Sequence, residues 1–173
     1  WRKNSPVEIS ISVNLSGRQL NDDDINSILR ILGINIDLAP LIVIELTETF
    51  LMHHAHSAVG MLERLKKSGV KLSIDDFGTG YSSLGYLKRF RVDELKIDRL
   101  LINDIVTDPN DRVISSAVIA MAHTLGLSVV AEGVENAEQI ALLRESGCDL
   151  FQGFYFDKAL DAETFYERYL QGE

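Results

Sequence analysis

Polar residues able to bind a cation or move a proton recur in this chain directly after short apolar runs. Asn14 closes residues 7–14 (VEISISVN), and Glu45 with Glu48 sit at the end of residues 41–46 (LIVIEL). Asp75 and Asp76 follow 70–74 (VKLSI), Lys96 and Asp98 end 94–97 (ELKI), Glu132 and Glu135 follow 127–130 (LSVV), and Gln152 follows 148–151 (CDLF). Two carboxylates adjacent in sequence, Asp75 and Asp76, repel each other unless a proton or a cation intervenes. Oxygen donors converging with an open position favour magnesium or manganese over zinc. A two-metal hydrolytic centre is the simplest chemistry for such a set. A single Asp or Asn after a strand commonly serves only as a turn former or helix cap. Six strand ends in succession carrying such groups exceed that role. Lys96, flanked by Leu95 and Ile97 inside a strand, is the most informative, because its charge needs carboxylates nearby if it is not on an exposed edge.

Positioning these groups at one place requires a particular set of elements. The apolar runs read as six strands, and between them lie amphipathic helices at 23–32, about 57–67, 111–125, 137–145 and 162–170. In 111–125 the residues Val113, Ala117, Ala120, Met121 and Leu125 follow helical spacing and predict the face that covers a sheet. Gly126 and Gly147 read as C-terminal helix caps. Strict β/α alternation leaves two architectures, an open doubly wound sheet or a closed (β/α)8 barrel. In both, ligands gather at the carboxyl ends of the strands. A barrel takes about 250 residues and eight units. Six units in 173 residues therefore fit an α/β, TIM-like barrel truncated at its N-terminus, with the first two strands missing.

Composition narrows the function. With 17 Lys and Arg against 26 Asp and Glu, the formal net charge is −9. That excludes tracking a nucleic acid polymer, which needs clustered cations. A phosphate ligand on this chain would need metal ions to help. One cysteine, Cys148, rules out an intramolecular disulfide and reads as a small core residue. No run approaches the roughly 18 apolar residues of a membrane span. The start at Trp1 rather than Met suggests a piece of a longer protein.

Read as strings, Asn14-Leu15-Ser16, Glu45-Leu46-Thr47-Glu48, the decapeptide DDFGTGYSSL from Asp75 to Leu84, Lys96-Ile97-Asp98, Ala131-Glu132-Gly133-Val134-Glu135 and Gln152-Gly153-Phe154 occur in one order. This ordered set resembles the EAL-domain cyclic-di-GMP phosphodiesterases, over about residues 13–160. The resemblance implies hydrolysis of cyclic-di-GMP to linear pGpG at a centre of two Mg2+ or Mn2+ ions. It implies that Asn14, Glu45 and Asp75 bind metal and that Asp76 serves the second ion. Lys96 would hold the attacking water, and Glu132 would act as general base or as its metal-side equivalent. Glu48 and Glu135 would steady the glycine-rich loop and the rim, with Asp98 beside them, and Gln152 would contact metal-bound water or ligand. The loop after Asp76 is expected to couple metal binding to a homodimer contact.

Two departures qualify the resemblance. The Glu-Ala-Leu motif that gives the family its name is absent, which removes one metal ligand, and Ala159 stands where a proline is common. Residues 1–173 are thus expected to be a partial domain that hydrolyses poorly, cut from a competent cytoplasmic enzyme with upstream sensory or cyclase domains and room for a membrane tether. The alternative is a catalytically inactive cyclic-di-GMP receptor or interaction module. Asp76-Phe77-Gly78 matches a kinase tripeptide without the kinase's other motifs. His53, His54 and His56 read as a solvated helix start rather than a zinc site.

Overall fold

The computed structural model describes residues 9–17, 22–34, 36–80 and 84–171. Six parallel strands form one sheet, β1 (Ile11–Asn14), β2 (Ile42–Thr47), β3 (Lys71–Phe77), β4 (Glu94–Ile97), β5 (Ser128–Ala131) and β6 (Leu150–Phe151), paired in the order of the sequence. A doubly wound sheet reverses its strand order at a switch point. Sequential order with right-handed crossovers instead keeps the crossover helices on one face and curls the sheet. The result is a half-barrel, as expected from the alternation.

The period of two along each strand sorts residues between two environments. On the convex side Ile44, Leu46, Leu72, Ile74, Leu95 and Ile97 are all buried. The helices that cover them are α1 (Asp22–Ile34), α2 (Glu48–His53), α3 (Ala55–Lys67), α4 (Leu84–Phe90), α5 (Arg99–Ile102), α6 (Pro109–Thr124) and α7 (Ala137–Glu145), whereas Phe165 and Tyr169 of α8 (Ala162–Tyr169) line a cleft on the concave side with Glu45 and Lys96. Leu62 and Leu65 of α3, Phe90 of α4 and Leu143 of α7 are buried in that layer. The concave side alternates instead through Glu45, Ser73, Asp75, Glu94 and Lys96, so the barrel interior is polar near its mouth.

Helix boundaries follow local chemistry. Asp98 caps α5 by accepting from the Leu100 amide at 2.8 Å, and Asp108 caps α6 by accepting from Asn110, with Pro109 in the first turn. Asn136 and Gln139 form a reciprocal capping box at α7. Gly126 and Gly147 take positive φ, +78° and +88°, as their reading as caps required.

Several expectations shift. The first strand is described from Ile11, and residues 7 and 8 of the expected run lie outside the described residues. The last strand is only Leu150–Phe151: Cys148 precedes it, buried at the end of α7 with its amide donated to the Leu143 carbonyl. Helices α2, α4 and α5 were not anticipated, because four to seven residues are too few to show a period. The buried face of α6 is also rotated from the predicted one. Ser115, Ile119 and Ala122 face the core, while Val113 is 68% exposed. The helix is apolar nearly all round, so spacing alone could not choose a face, and Ser115 is accommodated by donating its hydroxyl to the Leu101 carbonyl at 3.3 Å.

Candidate metal centre at the strand tips

Lys96 lies at the centre of the concave face. Its ammonium is 2.6 Å from Glu132 Oε1, 3.0 Å from Glu45 Oε2 and 3.1 Å from Asp75 Oδ1. Strand alternation puts it there: Leu95 and Ile97 are fully buried against the helices, so the residue between them must face inward. Burial alone would lower the lysine pKa, but the close carboxylates of Glu132, Glu45 and Asp75 outweigh it and hold the ammonium above its ordinary 10.5. Glu132 moves upward from 4.5. Burial and repulsion from Asp75 and Glu45 overcome the pull of Lys96. One cation is thus shared among more carboxylates than it can neutralise.

Asp75 and Asp76 reach the same mouth through a β-bulge. The register runs Ile74 to Leu95 and then Phe77 to Ile97, so two residues of β3 stand opposite one of β4. Ordinary alternation would send neighbouring side chains to opposite faces. Here Asp76 takes the left-handed conformation, φ +56°, which Asp tolerates better than most residues. Oxygens of Asp75, Asp76 and Glu132 consequently lie within 4.8 Å of one another. Burial and the charges of Asp75 and Asp98 raise the Asp76 pKa.

This donor set fits a divalent cation. Asp75 Oδ1 is buried without a hydrogen bond, since Lys96 approaches it off the bonding direction. Four carboxylates, Glu45, Asp75, Asp76 and Glu132, stand against one ammonium, before Asp98 is counted. Oxygen donors of this kind select hard ions such as Mg2+, Mn2+ or Ca2+.

The remaining predicted residues surround this cluster at varied depth. Glu48, fully buried at the start of α2, accepts from the Gly78 amide at 3.1 Å and so holds the loop that leaves Asp76. Residues 81–83 of that loop lie outside the described residues. Asp98 is half-buried beside Asp76 and helps to raise its pKa. Asn14 is exposed and pairs in register with Glu45. Gln152 is exposed and lines a cleft of about 570 Å³ shared with Glu45, Glu94 and Lys96. Glu135 is exposed and is not drawn into the cluster. Two residues were missed by sequence reasoning. Glu94 shares the inward face with Lys96, two positions on, and burial raises its pKa. Gln139 supports the loop of Glu132, and the Asn136-x-x-Gln139 spacing of a capping box was the available signal.

The EAL domain pattern matches residues 1–159. The cyclic di-GMP phosphodiesterase NbdA of Pseudomonas aeruginosa is 45% identical over 154 residues, which cover 89% of this chain and 19% of NbdA. The solved c-di-GMP complex of the Pseudomonas aeruginosa MucR phosphodiesterase superposes with a TM-score of 0.84 at 43% identity, over 90% of this chain and 64% of that one. The manganese and cyclic-di-GMP complex of Klebsiella pneumoniae BlrP1 gives 0.79 at 36% identity, over 87% and 39%. The chain spans between 19% and 26% of the first curated relatives it matches.

Proposed function

Because the chain belongs to the EAL-domain family, we propose that its strand tips form a metal-dependent centre that hydrolyses cyclic-di-GMP to linear pGpG. The observation that carries this reading is the buried Lys96 among Glu45, Asp75 and Glu132, with an Asp75 oxygen that accepts no hydrogen bond. Asn14, Glu45 and Asp75 would hold one ion and Asp76 the other. A pair of Mg2+ or Mn2+ ions supplies Lewis acidity and charge neutralisation for an in-line displacement.

The chain's own residues do the rest. Lys96 donates to the attacking water and orients it, and Glu132 accepts the proton that water loses as the new P–O bond forms. Formation of pGpG breaks the bond between phosphorus and a ribose 3′ oxygen, which leaves as a hydroxyl. Gln152, on the rim of the cleft, is available to the ligand. Glu48 and Glu135 keep the rim in place, Glu48 through the Gly78 amide. Residues 1–173 act as a partial EAL barrel in a longer cytoplasmic protein with sensory or cyclase domains. A second copy docks at the loop after Asp76, where Gly78 lies against Leu101 and the neighbouring Leu100 is 62% exposed.

The test is hydrolysis of cyclic-di-GMP by this chain and by an upstream-extended protein, with Mn2+ or with chelator, resolved by chromatography. Metal-dependent pGpG that Lys96→Ala and Glu132→Ala abolish supports the enzyme. Binding without product in both proteins would instead identify a receptor.

A further inference from the structure

Gln139 is 3% exposed on the first turn of α7, and both polar atoms of its side chain are engaged. Its Oε1 accepts from the Glu135 amide at 2.7 Å and the Asn136 amide at 3.2 Å. Its Nε2 donates to the Ile102 carbonyl at 3.1 Å and the Asn103 carbonyl at 3.3 Å. The oxygen thus faces the loop that descends from Glu132, and the nitrogen faces the last carbonyls of α5. Helix α5 itself begins at Arg99, three residues after Lys96. One amide therefore ties the loop that follows β5 and carries Glu132 to the end of the helix that follows β4 and Lys96. The loop meets α5 at its other end as well, where a Cβ on Gly133 would stand 2.5 Å from Cβ of Arg99.

We propose that Gln139 is a positioning residue for the metal centre: it clamps the 132–136 loop onto α5 and so fixes the Glu132 carboxylate against Lys96 and the two aspartates. The Gln139 amide serves both sides, with its oxygen accepting and its nitrogen donating. A carboxylate has no donor for the α5 carbonyls, an ammonium has no acceptor for the loop amides, and a hydrocarbon has neither. The clamp deepens the proposed function and rests on it where it takes Glu132 to serve a cation.

Mn2+ titration calorimetry on the full chain tests it without requiring turnover. Gln139→Glu keeps the acceptor for Glu135 and Asn136 but removes the donor to α5, whereas Gln139→Leu removes both. Leu143→Ala, buried on the same helix, disturbs packing and leaves the clamp intact. Both Gln139 variants should weaken Mn2+ binding roughly tenfold, as loss of a ligand's supporting bond does, and Leu143→Ala should stay within about twofold of wild type. The deficit of Gln139→Glu relative to wild type should shrink from pH 8 to pH 6, because a protonated carboxyl regains a donor. Wild-type affinity in Gln139→Glu, or an equal loss in Leu143→Ala, overturns the clamp. A wild-type chain that binds no Mn2+ counts against the proposed function, and the clamp is then read by amide exchange. The Glu132 amide, bonded to the Ile97 carbonyl at 3.1 Å, should exchange about tenfold faster in both Gln139 variants but not in Leu143→Ala, and unchanged protection overturns the clamp.

Discussion

At the scale of single residues, Lys96 holds together a cluster that would otherwise repel itself. Removing one partner of a buried charge group is strongly destabilising, about 3–5 kcal/mol, because the remaining charges stay buried without compensation. Lys96→Met should therefore lower the urea midpoint in chelator, and Mn2+ should restore part of the loss. Destabilisation that is indifferent to Mn2+ would show that no cation enters among these carboxylates. Asp76→Asn makes the complementary case. Asn tolerates the left-handed conformation at φ +56° and removes a charge crowded by Asp75 and Asp98. Stability without metal should rise by less than about 1 kcal/mol, since partial exposure screens the repulsion, while Mn2+ affinity falls. The pH dependence has a definite sign. Glu132 and Glu94 have folded-state pKa values raised above 4.5, so between that value and the raised one the folded chain holds more protons than the unfolded chain. Stability without metal should fall as pH rises through this window, and Glu132→Gln should flatten the slope in urea melts from pH 4 to 8.

At the scale of elements, the loops after the strands convert six strand ends into one site. The β3 bulge is what lets two sequential aspartates share a mouth. The loop after β5 is held by close backbone approach. Gly133 has φ +69° and no room for a Cβ against Arg99, and a Cβ on Gly153 would fall 2.1 Å from the Val134 carbonyl oxygen. Gly133→Ala should cost about 2–4 kcal/mol, combining left-handed strain with overpacking, and should weaken Mn2+ binding because Glu132 is the preceding residue. Loss of stability by urea denaturation with full Mn2+ affinity would separate the loop from the site. These devices explain what was legible beforehand. Strands such as β2 and β3 announce themselves as short apolar runs, and α7 by the glycine that ends it, Gly147. The face of α6 did not, because Val113, Ala117 and Ala120 offered as good a stripe as Ser115, Ile119 and Ala122. The polar strand ends were visible as a pattern, yet neither the bulge nor the Gln139 bonds leave a periodic trace: both depend on which loops pack together in space.

At the scale of the whole molecule, the half-barrel opens on its concave side through a cleft lined by Gln152, Glu45 and Lys96. Among the described residues β1 and β6 each pair on one side only, and all four residues of β1 are exposed. Ile11, Val13 and Leu150 are 58%, 48% and 51% exposed at these two edges. Unpaired edges bearing apolar side chains invite pairing with another chain. A longer protein that supplies two further βα units would cover both edges and close the cleft beside Gln152. Burying these three side chains should add about 2–4 kcal/mol of stability, seen as a higher melting temperature. The same closure should suppress concentration-dependent association in sedimentation. On the proposed function it should also raise turnover of cyclic-di-GMP well above that of residues 1–173, because a Glu-Ala-Leu segment would add a carboxylate to the centre. Ile11→Lys in the present chain isolates the edge contribution: a charge at that position should reduce association without touching the carboxylates. Comparable melting, association and turnover in the short and long proteins would mean that the six strands already make a finished unit and that their exposed edges carry no cost.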